Sequence, residues 1–238
     1  MTNFIPIEMP KAISETESTK VLKNQINNME RQRGWFSRPK TPGVLEELSG
    51  RKDQLGPKEA NYIEAILKLG GTVAEIGAGK LRACKELAVS FPEGHVIAVE
   101  PFVDPDTLRD LPKNMSVIPK SVENLTPTDL VDNSVDAVFS AYVYPYAKDK
   151  LGFLTGVWRI LKPEAQALIQ YFGAPTNPGL PELIKKFKMS DLLNLTVIPS
   201  GTLLAMKKVP GRTLDFGQYT MSAYPVGGGA LMTEYTFT

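Results

Sequence analysis

Cysteine and histidine are almost absent from this chain, with one of each among 238 residues. A lone Cys84 excludes an internal disulfide framework and favours a reducing compartment. With His95 the sole histidine, no Cys/His cluster can form, and no acidic trio at ligand spacing replaces it, so a metal centre is not expected. Charge of one sign is lacking too: 27 Lys and Arg face 26 Asp and Glu, a net +1, without the basic excess of a nucleic-acid surface. No run of 18 apolar residues offers a membrane span. Pro6, Glu8, Pro10 and Lys11 interrupt the opening where a signal peptide would be apolar. The expectation is a cytoplasmic protein with neither membrane nor nucleic acid as a partner.

What is present is ordinary globular composition, 42% hydrophobic and 22% charged, in a length that suits one domain with additions. Residues 1–56 precede the main pattern as an N-terminal helical cap. Within them Val21, Leu22, Ile26 and Met29 recur at helical spacing, and Gly34 ends the helix before Trp35-Phe36. Those two aromatics are packing anchors or substrate contacts. A second helix starts at Pro57 and runs to Leu69.

From there strands and helices alternate, which implies a parallel sheet covered on both faces. Strands are predicted at Thr72–Ile76, Val96–Val99, Met115–Ile118, Ala137–Ser140 and Gln166–Phe172. Helices are predicted at Lys80–Ser90, Lys148–Leu161 and Pro181–Leu193. Leu195–Ile198 and Thr202–Lys208 are separated by Pro199-Ser200-Gly201 alone, too short for a parallel crossover, so they form a hairpin. The fold class is α/β: a doubly wound, Rossmann-like, seven-stranded, mostly parallel sheet with an antiparallel final strand, over residues 57–208. Residues 209–238 are surplus to it. Leu214, Phe216, Tyr219, Met221, Tyr224, Leu231, Tyr235 and Phe237 make this extension too apolar for a solvated tail. It packs on the protein's own body, closes over the active site as a lid, or is exchanged with a second subunit. Gly227-Gly228-Gly229 could hinge two short strands within it.

The chemistry concentrates at Val73-Ala74-Glu75-Ile76-Gly77-Ala78-Gly79-Lys80 and at Val96-Ile97-Ala98-Val99-Glu100. Gly77 and Gly79 let the backbone turn sharply out of the first strand and lie against a ligand. The following helix points its first N–H groups at that ligand. Glu100, at the carboxyl end of the second strand, can accept hydrogen bonds from both hydroxyls of a ribose. A dinucleotide fingerprint requires glycine where this chain has Arg82.

The acidic residue, Gly, any residue, Gly pattern at Glu75, Gly77 and Gly79 resembles motif I of the class I S-adenosylmethionine-dependent methyltransferases. Ser121-Val122-Glu123-Asn124-Leu125, Asp136-Ala137-Val138-Phe139-Ser140 and Arg159-Ile160-Leu161-Lys162-Pro163 are similar to the adenine loop, fourth strand and Arg-hydrophobic-Leu-Lys-Pro segment of its small-molecule members, type 11/25-like, across about Tyr62 to Lys208. The resemblance implies S-adenosyl-L-methionine held by Glu75, Gly77, Ala78, Gly79, Glu100, Pro101, Ser121, Val122, Glu123 and Ser140. Val122 would offer its backbone N–H to the adenine ring, and the backbone at Ser140 would approach the amino group of the methionine part. The chain departs from the family at Leu81, where another glycine is frequent, at Ser121, where Asp is usual, and at Glu164-Ala165, where two glycines are preferred.

Ser140-Ala141-Tyr142-Val143-Tyr144-Pro145-Tyr146 puts three tyrosines beyond the fourth strand, where an acceptor would lie. Tyr142, Tyr144 and Tyr146 are therefore the candidate catalytic residues, since an apolar ring with a polar tip suits an aromatic or amphipathic small molecule; each is equally readable as a core cap. The Asn/Asp-Pro-Pro-Tyr motif of nucleobase and glutamine methylation is absent. His95 falls at the start of its strand, away from the site, so a histidine general base is not expected; Glu123, Asp149 or a tyrosine would serve if a base is used. The partner is then a small-molecule methyl acceptor, and the surplus segments allow a homodimer. Two rival readings stand beside this one. A non-catalytic, cofactor-binding partner subunit is permitted by Leu81 and the missing base, and a nicotinamide-dependent oxidoreductase is disfavoured by Arg82 and the closing hairpin.

Overall fold

The computed structural model describes residues 57–141, 143–171, 180–198, 201–225 and 231–238. The expected helix at residues 14–33, the Trp35-Phe36 pair and the N-terminal cap lie outside them.

Among the described residues there are thirteen α-helices and strands. Helix α1 spans Pro57–Lys68, β1 Thr72–Ile76, α2 Arg82–Ser90, β2 His95–Val99 and β3 Met115–Ile118. There follow β4 at Val135–Ala141, α3 at Lys150–Ile160, β5 at Leu161–Tyr171 and α4 at Leu180–Lys186. Strands β6 (Leu193–Ile198), β7 (Gly201–Lys207), β8 (Tyr219–Pro225) and β9 (Leu231–Phe237) complete the chain.

Seven strands form one sheet in the order β3-β2-β1-β4-β5-β7-β6. The pairs among β3, β2, β1, β4 and β5 are parallel, whereas β7 runs antiparallel to both β5 and β6. Only residues 199–200 separate β6 from β7, one fewer than the sequence suggested because Gly201 already pairs with Ile198, and so short a link forces the reversal. Chain order reverses between β1 and β4, so the carboxyl ends of these two strands open a crevice at the topological switch point.

Alternation along the strands divides the core in two. Val73, Val96, Ala98, Ala137 and Phe139 face α1 and α2, packing on Ile63, Leu67, Ala83, Cys84 and Leu87. Ala74, Ile76, Val99 and Val138 face the other way, onto Leu151, Leu154, Val157 and Trp158 of α3. Both faces of the parallel strands are thus apolar, as a doubly covered sheet requires. Asp136 ties the lower end together: its carboxylate accepts the Thr72 N–H at 2.9 Å and pairs with Lys162 at 2.8 Å.

Element ends moved by a residue or two for most of the predictions, and more for two of them. Strand β5 begins at Leu161 rather than Gln166, because Leu161 pairs with Val135 before the register shifts and Gln166 pairs with Ala137. Helix α4 stops at Lys186 rather than Leu193: Lys188 turns into the left-handed region at φ 52°, and Met189 and Leu192 become core residues leading into β6.

The C-terminal extension folds as a second, two-stranded antiparallel sheet, with β8 and β9 on either side of the glycine run. Residues 226–230 themselves lie outside the described ones. The extension packs on the body of its own chain. Leu214 and Phe216 are buried, Phe187 of the α4 end meets Phe216 at 5.8 Å and Phe237 at 5.4 Å, and Lys186 sits 4.3 Å from the Phe237 ring centroid.

Candidate active site

The turn out of β1 is built on left-handed backbone. Gly77 has φ 76° and Gly79 φ 50°, values that cost a side-chain-bearing residue about 1–2 kcal/mol. Leu81 continues the pattern at φ 61°, although it is not glycine. It tolerates this because its side chain is fully buried in the core under α2, and that burial offsets the strain. Glu164 is also left-handed, at φ 67°, but is exposed; its N–H donates to Lys208 O at 2.7 Å. Two positions at which the chain departs from the family's glycines have therefore kept a glycine-like conformation.

Glu100 closes the turn. Its Oε2 accepts the Gly79 N–H at 2.7 Å and its Oε1 accepts the Phe102 N–H at 2.9 Å, and the residue is buried. The carboxylate is thus held at the mouth of the β1 turn by two backbone donors. Among the described residues the space beside the turn is open, since a Cβ built on Gly79 would meet none of their atoms within 4 Å. An open cradle next to an oriented carboxylate fits a nucleoside cofactor. Pro101 is exposed beyond it, and Ala78 is buried against α2.

Glu75 takes a different position from Glu100. Its side chain is buried between β1 and α2, where Cys84 Sγ donates to Oε2 at 3.0 Å. Burial with so weak a donor, reinforced by the Glu100 charge, pushes the Glu75 carboxyl up to about 7. Cys84 itself is fully buried and its thiol is raised further, by burial first and by Glu75 second, so it is an inert packing residue.

The turn at Val122–Asn124 follows β3, with Ser121 in extended conformation ahead of it. Asn124 Nδ2 donates to Ser121 Oγ at 2.8 Å, and Val122 is buried. Burial, with a smaller contribution from the Asp149 charge, raises Glu123 above the ordinary carboxylate range. Helix α3 backs this turn so closely that a Cβ on Gly156 would lie 2.5 Å from Val122 O. At the end of β4, Ser140 donates its hydroxyl to Ile76 O at 2.9 Å, stitching the two strands that flank the crevice.

Beyond β4 the chain crosses the glycine turn. A Cβ on Gly77 would sit 2.2 Å from Val143 Cγ2, so Val143 rests directly on that glycine. The tyrosines separate. Tyr142 lies outside the described residues, Tyr144 is buried with its ring edge-on to Phe153 at 5.5 Å, and Tyr146 is half-buried. Tyr144 therefore serves as a core cap rather than a surface for an acceptor. Asp149 is occupied structurally: it caps α3 by accepting the Gly152 N–H at 2.9 Å, and it accepts the Tyr219 hydroxyl at 3.0 Å.

The structure brings Gly77, Gly79, Glu100 and Ser140 together around the crevice, with the Ser121–Glu123 turn at the end of the neighbouring β3. Val143 and the Asp149 cluster were not singled out from sequence as contacts of the glycine turn and the C-terminal sheet. The signal for the second was the apolar, tyrosine-bearing extension, which demanded a surface to cover. His95 lies at the amino end of β2, its ring 2.6 Å from Ser116 Oγ, away from the crevice. Among the described residues no group of His, Cys, Asp and Glu could hold a metal ion, and no helix is long and apolar enough to cross a membrane.

Comparison with known proteins agrees with this geometry. Residues 74–169 match the family described as methyltransferase domain. The solved 1,6-didemethyltoxoflavin-N1-methyltransferase of Burkholderia thailandensis, determined with 1,6-didemethyltoxoflavin and S-adenosylhomocysteine, is similar at 14% identity over 86% of this chain and 94% of its own, with a TM-score of 0.53. An S-adenosylmethionine-dependent methyltransferase from Aquifex aeolicus is 20% identical over 69% of this chain and 95% of its own, with a TM-score of 0.43. A Haloferax volcanii methyltransferase solved in complex with the Trm112 activator is 17% identical over 71% and 95%, with a TM-score of 0.47. Among curated proteins none matches. Identities this low speak to fold alone. The strand order, the closing antiparallel strand and the glycine turn thus stand beside a match of residues 74–169 to the methyltransferase domain family, to which this stretch of the chain is similar.

Proposed function

We propose that the chain transfers a methyl group from S-adenosyl-L-methionine to a small-molecule acceptor. The observation that carries the cofactor half is the Glu100 carboxylate, held 2.7 Å from the Gly79 N–H beside an open glycine turn. Glu100 would accept the ribose hydroxyls, the Gly77–Gly79 backbone would border the methionine part, and the Ser121–Glu123 turn would flank the adenine. Bound there, the cofactor supplies a sulfonium-activated methyl group that passes to an acceptor lone pair as the sulfide departs. The protein's task is then chiefly alignment, which suits a site whose described residues include no histidine.

Charge and the shape of the crevice support a small acceptor. A net charge of +1 supplies no field for a polyanion. Val143, seated on Gly77, narrows the approach beyond β4. Glu123, raised by burial, is the candidate base if the acceptor must lose a proton. Asp149 is less suited, because its oxygens already serve the α3 cap and two phenols.

The test uses methyl-labelled S-adenosylmethionine with the purified chain and separate small-molecule, nucleic-acid and protein fractions of a cell extract. Label appearing in the small-molecule fraction is expected. Label confined to nucleic acid or protein would contradict the acceptor class while leaving the transferase intact.

A further inference from the structure

The C-terminal hairpin lies outside the seven-stranded sheet, yet its polar contacts converge on one short segment, the residues that join the crevice loop to α3. Tyr235 Oη accepts the N–H groups of Lys150 at 2.8 Å and Leu151 at 3.1 Å, so a side chain 84 positions away caps the first turn of α3. Tyr219 donates its hydroxyl to Asp149, the residue at the N-cap. Thr233 Oγ1 donates to Lys148 O at 2.9 Å. The Lys150 ammonium is fully buried and donates to Leu231 O at 2.6 Å, to Thr233 Oγ1 at 3.2 Å and back to Ala147 O at 3.2 Å. The rings of Tyr219 and Tyr235 meet edge to face at 5.3 Å, which fixes both hydroxyls over the helix end.

Two continuous paths run from this joint to the crevice. In the first, Ala147 N–H donates to Tyr144 O and Tyr146 N–H donates to Val143 O, and Val143 rests on Gly77. In the second, α3 carries Gly156, whose close fit against Val122 O sets the turn beside the adenine position. Neither contact tolerates a shift of α3 by much: the missing Cβ atoms at Gly77 and Gly156 are what allow the approach. Helix α3 is therefore a rigid link whose amino end is held by the hairpin and whose body holds the Val122 turn.

We propose that the hairpin of β8 and β9 is a clamp that sets the cofactor crevice, and that Tyr235 is its principal positioning residue. It acts through α3 and the Val143–Ala147 turn and touches neither cofactor nor acceptor. The inference rests on the cofactor reading given above.

The experiment compares the full chain with its Tyr235→Phe variant, which loses the hydroxyl that accepts two helix N–H groups but keeps the ring packing on Tyr219 and Phe237. Lys162→Met serves as a control, because its ion pair with Asp136 lies at the opposite end of the sheet and its loss lowers stability without touching α3. Affinity for S-adenosylhomocysteine is measured by calorimetry well below each melting temperature, and amide hydrogen exchange is followed in residues 121–125. Tyr235→Phe should weaken S-adenosylhomocysteine about fivefold and speed exchange at 121–125, whereas Lys162→Met should change neither. Exchange and affinity at wild-type values in Tyr235→Phe would overturn the clamp. If the wild-type chain does not bind S-adenosylhomocysteine, the cofactor reading fails, and the exchange comparison alone decides whether Tyr235 positions the Val122 turn.

Discussion

Leu81 and Glu164 share a left-handed backbone, at φ 61° and φ 67°, and substituting glycine at each should have opposite effects on stability. At either site glycine relieves a strain of about 1–2 kcal/mol. Glu164 is exposed, and its side chain pairs with Lys207 at 3.1 Å, with both groups half exposed or more, a pair worth about a few tenths of a kcal/mol. Glu164→Gly should therefore stabilise the chain by about 0.5–1 kcal/mol. Leu81 is fully buried among Val73, Ala83 and Leu87, so removing its side chain sacrifices the transfer energy and leaves a cavity, about 3–5 kcal/mol together. After the relief of strain, Leu81→Gly should still destabilise by about 1–4 kcal/mol. Urea unfolding of the full chain, read by tryptophan fluorescence and circular dichroism, gives both numbers. Equal signs for the two variants would refute the reasoning, because backbone strain would then outweigh burial, or be negligible, at both sites.

Other expectations follow from the crevice. Glu100→Ala should weaken S-adenosylhomocysteine by about 1.5–3 kcal/mol, and Glu100→Gln by less, since an amide oxygen can still accept the Gly79 N–H; equal losses by calorimetry would show that the charge rather than the turn contact dominates. Gly77→Ala should be destabilised by about 1–3 kcal/mol through its positive φ and its collision with Val143, and Val143→Ala in the same chain should recover part of the loss; strict additivity in a double-mutant cycle would remove the contact. Glu75 is a carboxyl raised to about 7 by burial, so the folded state holds its proton when the unfolded state has released it, and stability falls as pH rises from about 4.5 to about 7. That slope amounts to about 3 kcal/mol and should vanish in Glu75→Gln, when unfolding free energies of the two chains are compared across that range.

Much of the sheet was legible because its signals are local. Thr72–Ile76 and Met115–Ile118 are short apolar runs bounded by turns, and the two-residue link between β6 and β7 permits only an antiparallel return. The glycine turn and Glu100 were legible for the same reason, as each depends on a spacing within one β-α-β unit. Glu75 was harder, because sequence spacing places it on β1 but does not say that Cys84 shares its burial. The three tyrosines beyond β4 looked equivalent until packing separated buried Tyr144 from half-buried Tyr146. The Asp149–Tyr219–Tyr235 joint joins residues 70 and 86 positions apart, and no periodicity links them. Leu81 and Glu164 show the converse: the family's glycines are gone, and only the backbone reveals that their conformation remains.

Isothermal titration of the purified chain with S-adenosylhomocysteine, with NAD as the control ligand, tests the central claim most directly. Saturable binding of S-adenosylhomocysteine at micromolar concentration, weakened by Glu100→Ala, with no heat from NAD, is the predicted result. Binding of neither ligand, or of NAD alone, would contradict it.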